Sequence, residues 1–138
     1  MIDFDDVPRV ELDFMNDDHE EATALVNHIQ HLLILIETGE AKAEETGKTL
    51  EALLKHNQEH FAREEEQMQK FSFPPYSIHK GEHERVLAEM ETEIAAWQAD
   101  KDIARLKLYI EETLPNWFVG HIETMDTMTA MFIARSGG

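Results

Sequence analysis

The sequence predicts an all-α fold, an antiparallel up-down-up-down four-helix bundle with a short non-helical N-terminal arm, and three observations carry that expectation. Proline and glycine fall at a few points only: Pro8, Gly39, Gly47, Pro74 with Pro75, Gly81, Pro115, Gly120 and the terminal Gly137 and Gly138. Between them the chain is free of helix breakers, and its apolar residues recur at helical spacing over four stretches of about 20 residues. The connections between those stretches are short, which sends consecutive helices back alongside one another. At 138 residues the chain is the size of one domain and can bury a core without staples.

Residues 1–15 form the expected arm, packing Phe4 and Phe14 on the outside of a bundle made by residues 16–138. The first helix is expected over 17–37, with Asn16 or Asp17 as N-cap. Its stripe is Val26, Ile29, Leu33 and Ile36; His19 lies near it, whereas His28 and His31 project away to the surface. The connection "ETGEAKAEETGK" at 37–48 reads as a solvated loop or an extra helical turn. The second helix, over 46–71, carries the arc Leu50, Leu53, Leu54, Phe61, Met68 and Phe71. That arc centres near Glu64, with His60 at its edge; Glu66 lies opposite, Glu65 on the flank, and His56 about 100° from the centre, so these three lean to solvent.

After the turn "FSFPPY" the third helix runs over 76–98, and His79, His83, Val86, Leu87, Met90, Ile94 and Trp97 share an arc of about 100°. The fourth, over 102–133, carries Ile103, Leu106, Ile110, Leu114, Trp117, His121, Met125 and Met128 on one stripe. Pro115 removes a backbone donor and crowds residue 111, so a kink or break is expected near Glu112 to Pro115. Met125, Met128 and Met131 read as core filler, or else as an oxidation-sensitive lining of a ligand path.

Composition excludes several classes of function. Twenty-nine Asp plus Glu against 12 Lys plus Arg give a formal charge of −17, which repels nucleic acid and anionic membrane surfaces. No cysteine is present, so disulfides, iron–sulfur clusters and thiol catalysis are excluded together, and a metal would have to use His, Asp, Glu or water. The acidic N-terminus has no signal pattern and no apolar run is long enough to span a bilayer, so a soluble cytoplasmic protein is expected.

The inward polar residues then need an explanation. A single buried histidine is ordinarily a hydrogen-bonded core residue, but here four histidines from several helices and Glu64 face one interior, and an unpaired buried carboxylate would cost several kcal/mol or take up a proton. A cation resolves both problems. Imidazole and carboxylate without thiolate suit iron, zinc, copper or manganese. None of the eight histidines has a Glu three residues before it, which disfavours the carboxylate-rich ferritin-like class.

The order His19, "HFAREE" with His60 and Glu64, "HKGEH" with His79 and His83, and "WFVGHIETMD" with His121 and Asp126 resembles the hemerythrins, specifically a bacterial single-domain hemerythrin. The resemblance spans roughly residues 14–130 and includes "LVN" at 25–27, Phe61, the aromatic-Pro turn before His79, and Trp117. It implies a non-haem di-iron site: His79, His83 and His121 on one iron, His19 and His60 on the other, Glu64 and Asp126 bridging the two Fe ions together with an oxide or hydroxide. Two six-coordinate irons so ligated keep one open position, on the iron with two histidines. Five neutral ligands and only two carboxylates favour reversible O₂ binding over cleavage of the O–O bond.

The function implied is O₂ carriage, storage or sensing by a binding protein, with NO, peroxide or azide-like anions as other small ligands, acting as a monomer or weak homo-oligomer. The alternatives are a di-iron redox enzyme acting on peroxide, nitric oxide or ferrous iron, and a metal that merely holds the bundle together. His56 falls where relatives often carry an aromatic, commonly Tyr; it reads as a boundary residue, a hydrogen-bond partner of a ligand or a proton relay. Asp126 conflicts with periodicity, because five residues on a regular helix rotate it about 140° from His121 and turn Met125 inward instead. A distortion between Gly120 and Asp126, such as a π-bulge, is therefore expected.

Overall fold

A computed structural model describes residues 6–40 and 42–137; Phe4 lies outside the described residues. Four helices form the expected all-α bundle: α1 (Asp13–Glu37), α2 (Ala43–Lys70), α3 (Tyr76–Asp100) and a long α4. Helix α4 runs through Ile103–Leu108, a π turn at Tyr109–Thr113, Leu114–His121, a second π turn at Ile122–Asp126, and Thr127–Arg135.

The arm is shorter than the predicted residues 1–15, because α1 already begins at Asp13 and includes Phe14. Neither Asn16 nor Asp17 caps it; Leu12 is the N-cap and offers no side-chain bond. Asn16 instead grips the arm: its Oδ1 accepts from the Val10 N–H and its Nδ2 donates to the Val10 carbonyl, both at 2.9 Å. A side chain that resembles a cap in sequence is spent here on a segment that has no ladder of its own. The other ends follow local rules. Lys101 turns left-handed (φ 50°) after α3, and Asp102 caps α4 by accepting from the Arg105 N–H at 3.1 Å.

The kink or break expected near Glu112 to Pro115 is not an interruption: the helix is unbroken there, and the irregularity takes the form of the π turn at Tyr109–Thr113. The Leu114 N–H reaches back five residues to the Tyr109 carbonyl, which opens the helix by one residue ahead of the proline. In that register the donor for the Ile110 carbonyl would be the N–H that Pro115 lacks. Gln30 on α1 supplies it from Nε2 at 3.2 Å, so the helix passes the proline with its backbone satisfied.

The interior has two apolar clusters. One gathers Val26, Ile29, Leu33, Leu50, Leu53, Met90, Ile94, Trp97, Leu106 and Ile110; the other holds Leu12, Met15, Met68, Phe73, Ala130 and Ile133. Each fully buried aliphatic side chain contributes about 1.5–3 kcal/mol, so the bundle is held from both ends. On every helix, the predicted polar residues fall in sequence between the residues of these two clusters.

Candidate metal centre

Local winding places each polar side chain. His60 and Glu64, and likewise His79 and His83, are four residues apart on regular helix and so share a face. On α4 the step from His121 to Asp126 is five residues, and the π turn at Ile122–Asp126 absorbs the extra one, bringing Asp126 inward as the conflict in the sequence required. The Thr127 N–H bonds the Ile122 carbonyl five residues back, and Thr127 Oγ1 donates to the same oxygen at 2.6 Å.

Beyond the π turn the inward face shifts by one residue. Ile122, Asp126, Thr129 and Ile133 are buried, while Met128, placed on the stripe by simple periodicity, is 64% exposed. Met125 and Met131 are half-buried, so the three methionines are not core filler.

All seven predicted residues, His19, His60, Glu64, His79, His83, His121 and Asp126, are buried and converge. Potential ligand atoms of Glu64, His79, His83, His121 and Asp126 lie within 4.8 Å of one another, as do those of His19, His60, Glu64 and Asp126. The two sets share both carboxylates, and each carboxylate divides its oxygens between them. Glu64 turns Oε1 toward Nε2 of His83 (3.2 Å) and His79 (3.7 Å), and Oε2 toward Nε2 of His60 (2.9 Å) and His19 (3.9 Å). Asp126 turns Oδ1 toward Nε2 of His79 and His121, both at 3.1 Å, and Oδ2 toward Nε2 of His19 at 3.0 Å.

The same atoms are poorly served by hydrogen bonds. Both oxygens of Glu64, Oδ1 of Asp126 and Nε2 of His83 are buried without a hydrogen-bond partner. Buried oxygens of this kind are costly unless a cation faces them. Burial and the charge of Asp126 push the Glu64 carboxyl up, but the imidazoles of His60 and His83 outweigh them and hold it down at about 2. Asp126 is likewise held well below the usual range: burial opposes this, and His121, His19 and His79 overcome it. Burial lowers His60, but Glu64 and Asp18 raise it to about 10. The pocket thus keeps two carboxylates ionised and favours the protonated forms of His60 and His83, whose positive charge faces them as a metal cation would. The residues present fit a group of two cations bridged by two carboxylates.

The outer ring nitrogens fix which nitrogen faces inward. His60 Nδ1–H donates to Asp18 Oδ2 at 2.8 Å and His83 Nδ1–H to Glu65 Oε2 at 2.9 Å, while His79 Nδ1 is hydrogen-bonded with the Thr129 hydroxyl at 2.8 Å. Each bond turns Nε2 toward the interior, where a cation would take its lone pair. Asp18 is held in turn by a two-pronged bond from Arg63, at 3.0 and 2.7 Å. His121 is set instead by stacking on Trp117, with centroids 4.6 Å apart and planes at 20°. The Trp117 indole N–H donates to Glu82 Oε1 at 2.7 Å.

Asp18, Arg63, Glu65 and Thr129 escaped the sequence reading. Glu65 is half-buried rather than solvent-facing, because the His83 ring edge from α3 covers the flank of α2. His56 is also corrected: it is buried, with Nε2 2.9 Å from the Asp18 carbonyl, since α1 packs over what α2 alone presents as a boundary. Glu66, His28 and His31 are exposed, as expected.

Beside the cluster lies a cavity of about 20 Å³. Its apolar wall includes Val26, Leu53, Phe61, Leu114, Trp117 and Phe118, and its polar side is Asn57, His60, His121 and Asp126. That volume admits little more than one water-sized molecule.

The family model of the Hemerythrin HHE cation binding domain matches residues 10–132, which include all seven clustered residues. The chain belongs to the hemerythrin family. Curated relatives extend over most of this hemerythrin-family chain. A protein named Bacteriohemerythrin from Ralstonia nicotianae is 32% identical over 117 residues, covering 85% of this chain and 84% of the relative. Proteins of the same name from Aquifex aeolicus and Methylococcus capsulatus are 27% and 29% identical, covering 85% and 83% of this chain and 86% and 82% of their own lengths. No solved structure matches this hemerythrin-family chain significantly. Among its described residues, no helix is long and apolar enough to cross a membrane.

Proposed function

We propose that the chain binds O₂ reversibly at a di-iron centre in the bundle core. The observation that carries this reading is the division of both carboxylates between a three-histidine and a two-histidine set, an arrangement suited to two cations rather than one. His79, His83 and His121 would hold one iron, His19 and His60 the other, with Glu64 and Asp126 bridging. When bound, the iron pair supplies the two electrons that reversible O₂ binding needs. The protein's own part is to orient and to exclude. Asp18 and Glu65 keep protons on the outer nitrogens of His60 and His83, and Thr129 holds the outer nitrogen of His79, so three imidazoles turn Nε2 inward without rearrangement.

The cavity lies against His60, His121 and Asp126, so a ligand reaching the centre from it enters a space walled by aromatic and aliphatic groups. Such walls favour a small apolar molecule such as O₂ and exclude bulk water, which would promote loss of electrons from the site. The name Bacteriohemerythrin borne by the relatives agrees with this reading.

Metal analysis together with absorption spectra of the reduced protein before and after air tests it. Two irons per chain and a charge-transfer band that reverses under vacuum are expected. One zinc per chain and no band would overturn the proposal.

A further inference from the structure

His56 makes no contact with the central cluster through its ring nitrogens, yet it is only 7% exposed. Its Nε2 faces the Asp18 carbonyl oxygen at 2.9 Å, and a carbonyl only accepts, so Nε2 carries the hydrogen. In the neutral ring Nδ1 is then a bare lone pair. That lone pair has no hydrogen bond; it points toward Glu21 Oε2, 3.5 Å away, another bearer of lone pairs. Two such groups face each other favourably only with positive charge between them. Asp18 offers a carboxylate to the same place: ligand atoms of Asp18, Glu21 and His56 all lie within 4.8 Å of one another.

We infer that His56 Nδ1, Glu21 and Asp18 form a third, weaker site for a divalent cation, joined to the two-histidine side of the core through the Asp18–His60 hydrogen bond. One imidazole and carboxylates suit Mn(II), Fe(II) or Zn(II). Two features make the site weak. The Asp18 oxygens already accept from His60 and Arg63, and the Arg63 guanidinium brings a positive charge close by. Weakness suits a place of transfer rather than of storage. Glu21 is 66% exposed and meets the solvent, whereas Asp18 is hydrogen-bonded to His60, so a cation held here stands one side chain away from the core. A formal charge of −17 draws cations to the surface in general, and this site gives one of them an imidazole. Its role as a loading station for ferrous iron rests on the di-iron reading; its existence as a cation site does not.

The test is titration of the iron-loaded chain with Mn(II), followed by loss of the free Mn(II) signal in electron paramagnetic resonance. One Mn(II) per chain is expected to bind, with affinity lower by about tenfold or more in Glu21→Gln and in His56→Gln. Glu21→Gln alters an exposed side chain and keeps the fold, so it remains informative if His56→Gln does not fold. Iron(II) uptake by the metal-free chain should slow in Glu21→Gln while the final iron content is unchanged. No Mn(II) bound to the unmodified chain, or equal binding by Glu21→Gln, overturns the inference. Iron content measured on the same samples reads the core separately: its absence would overturn the di-iron reading and leave the Mn(II) result standing.

Discussion

Tyr109–Thr113 and Ile122–Asp126 are both five-residue π turns in α4, but the first accommodates a missing donor and the second a carboxylate five residues from its partner histidine. At the first, Pro115 withholds the N–H that the Ile110 carbonyl would take in the π register, and Gln30 reaches across from α1 to replace it. At the second, no proline is involved; the extra residue lets His121 and Asp126 face the same interior. One distortion keeps the backbone satisfied and the other builds the site. Similar winding is therefore not evidence of similar purpose; the side chain that benefits has to be identified in each case.

The largest expected effect separates the carboxylate from the turn that carries it. Asp126→Ala should reduce bound iron from two per chain to one or none by metal analysis. Deleting Thr124, an exposed residue of the second turn, should leave two irons bound. The deletion shortens the step from His121 to the carboxylate to four residues, which a regular helix carries on one face. Loss of iron on this deletion would mean that the turn does more than house an extra residue.

The polar cluster also sets a pH dependence for the metal-free chain. Glu64 is lowered from 4.5 to about 2, so its contribution to stability is full above pH 4.5 and is lost as pH falls toward 2. His60 is raised from 6.5 to about 10, so its contribution is full below pH 6.5 and is lost as pH rises toward 10. The two describe largely one interaction and do not add. Thermal melts followed by circular dichroism should show a maximum between about pH 4.5 and 6.5, with the melting temperature falling on either side. On the proposed di-iron reading, iron loading should abolish the alkaline decline, because His60 would then be a neutral ligand rather than the loser of a proton.

The register shift past the second turn has its own signature. Ile122→Ala should cost about 2–5 kcal/mol in denaturant unfolding, as expected for a buried aliphatic. Met128→Ala should stay within about 0.5 kcal/mol. A regular helix through this region predicts a large cost at Met128.

A smaller cost than that of Ile122→Ala probes the first turn. Gln30→Ala should cost about 1–3 kcal/mol, because it leaves the Ile110 carbonyl buried without a donor. In a Pro115→Ala background the restored N–H can serve that carbonyl, and the same Gln30→Ala substitution should cost less. Equal costs in both backgrounds would show that Gln30 and Pro115 are independent.

The two turns also show why one was legible in the sequence and the other only in part. Tyr109 and Ile110 are adjacent, apolar and both buried, so the stripe on α4 could be followed through the first turn without noticing the extra residue. At the second turn the pattern pointed to Met125 and Met128, and only the conflict between a buried histidine and a carboxylate five residues on revealed that the helix must widen. The residues on α2 and α3 needed no such repair, because a four-residue step and a regular helix agree. His56 and Glu65 were misplaced for a different reason: a projection of one helix knows nothing of the neighbour that covers its flank.

The sequence by itself determined the four helices and the inward His60, Glu64, His79, His83 and His121, which follow from breakers, periodicity and the cost of burying polar groups, acting along one helix at a time. Asp126, and with it the irregular place on the last helix, came from the resemblance to the hemerythrins and ran against periodicity. Only the tertiary structure decided which oxygen of Glu64 and Asp126 faces which histidines, that Asp18, Glu65 and Thr129 hold the outer ring nitrogens, that Gln30 serves Ile110, and that His56 is buried beneath α1. These depend on contacts between helices, whose relative rotation and height are set by packing of both faces at once.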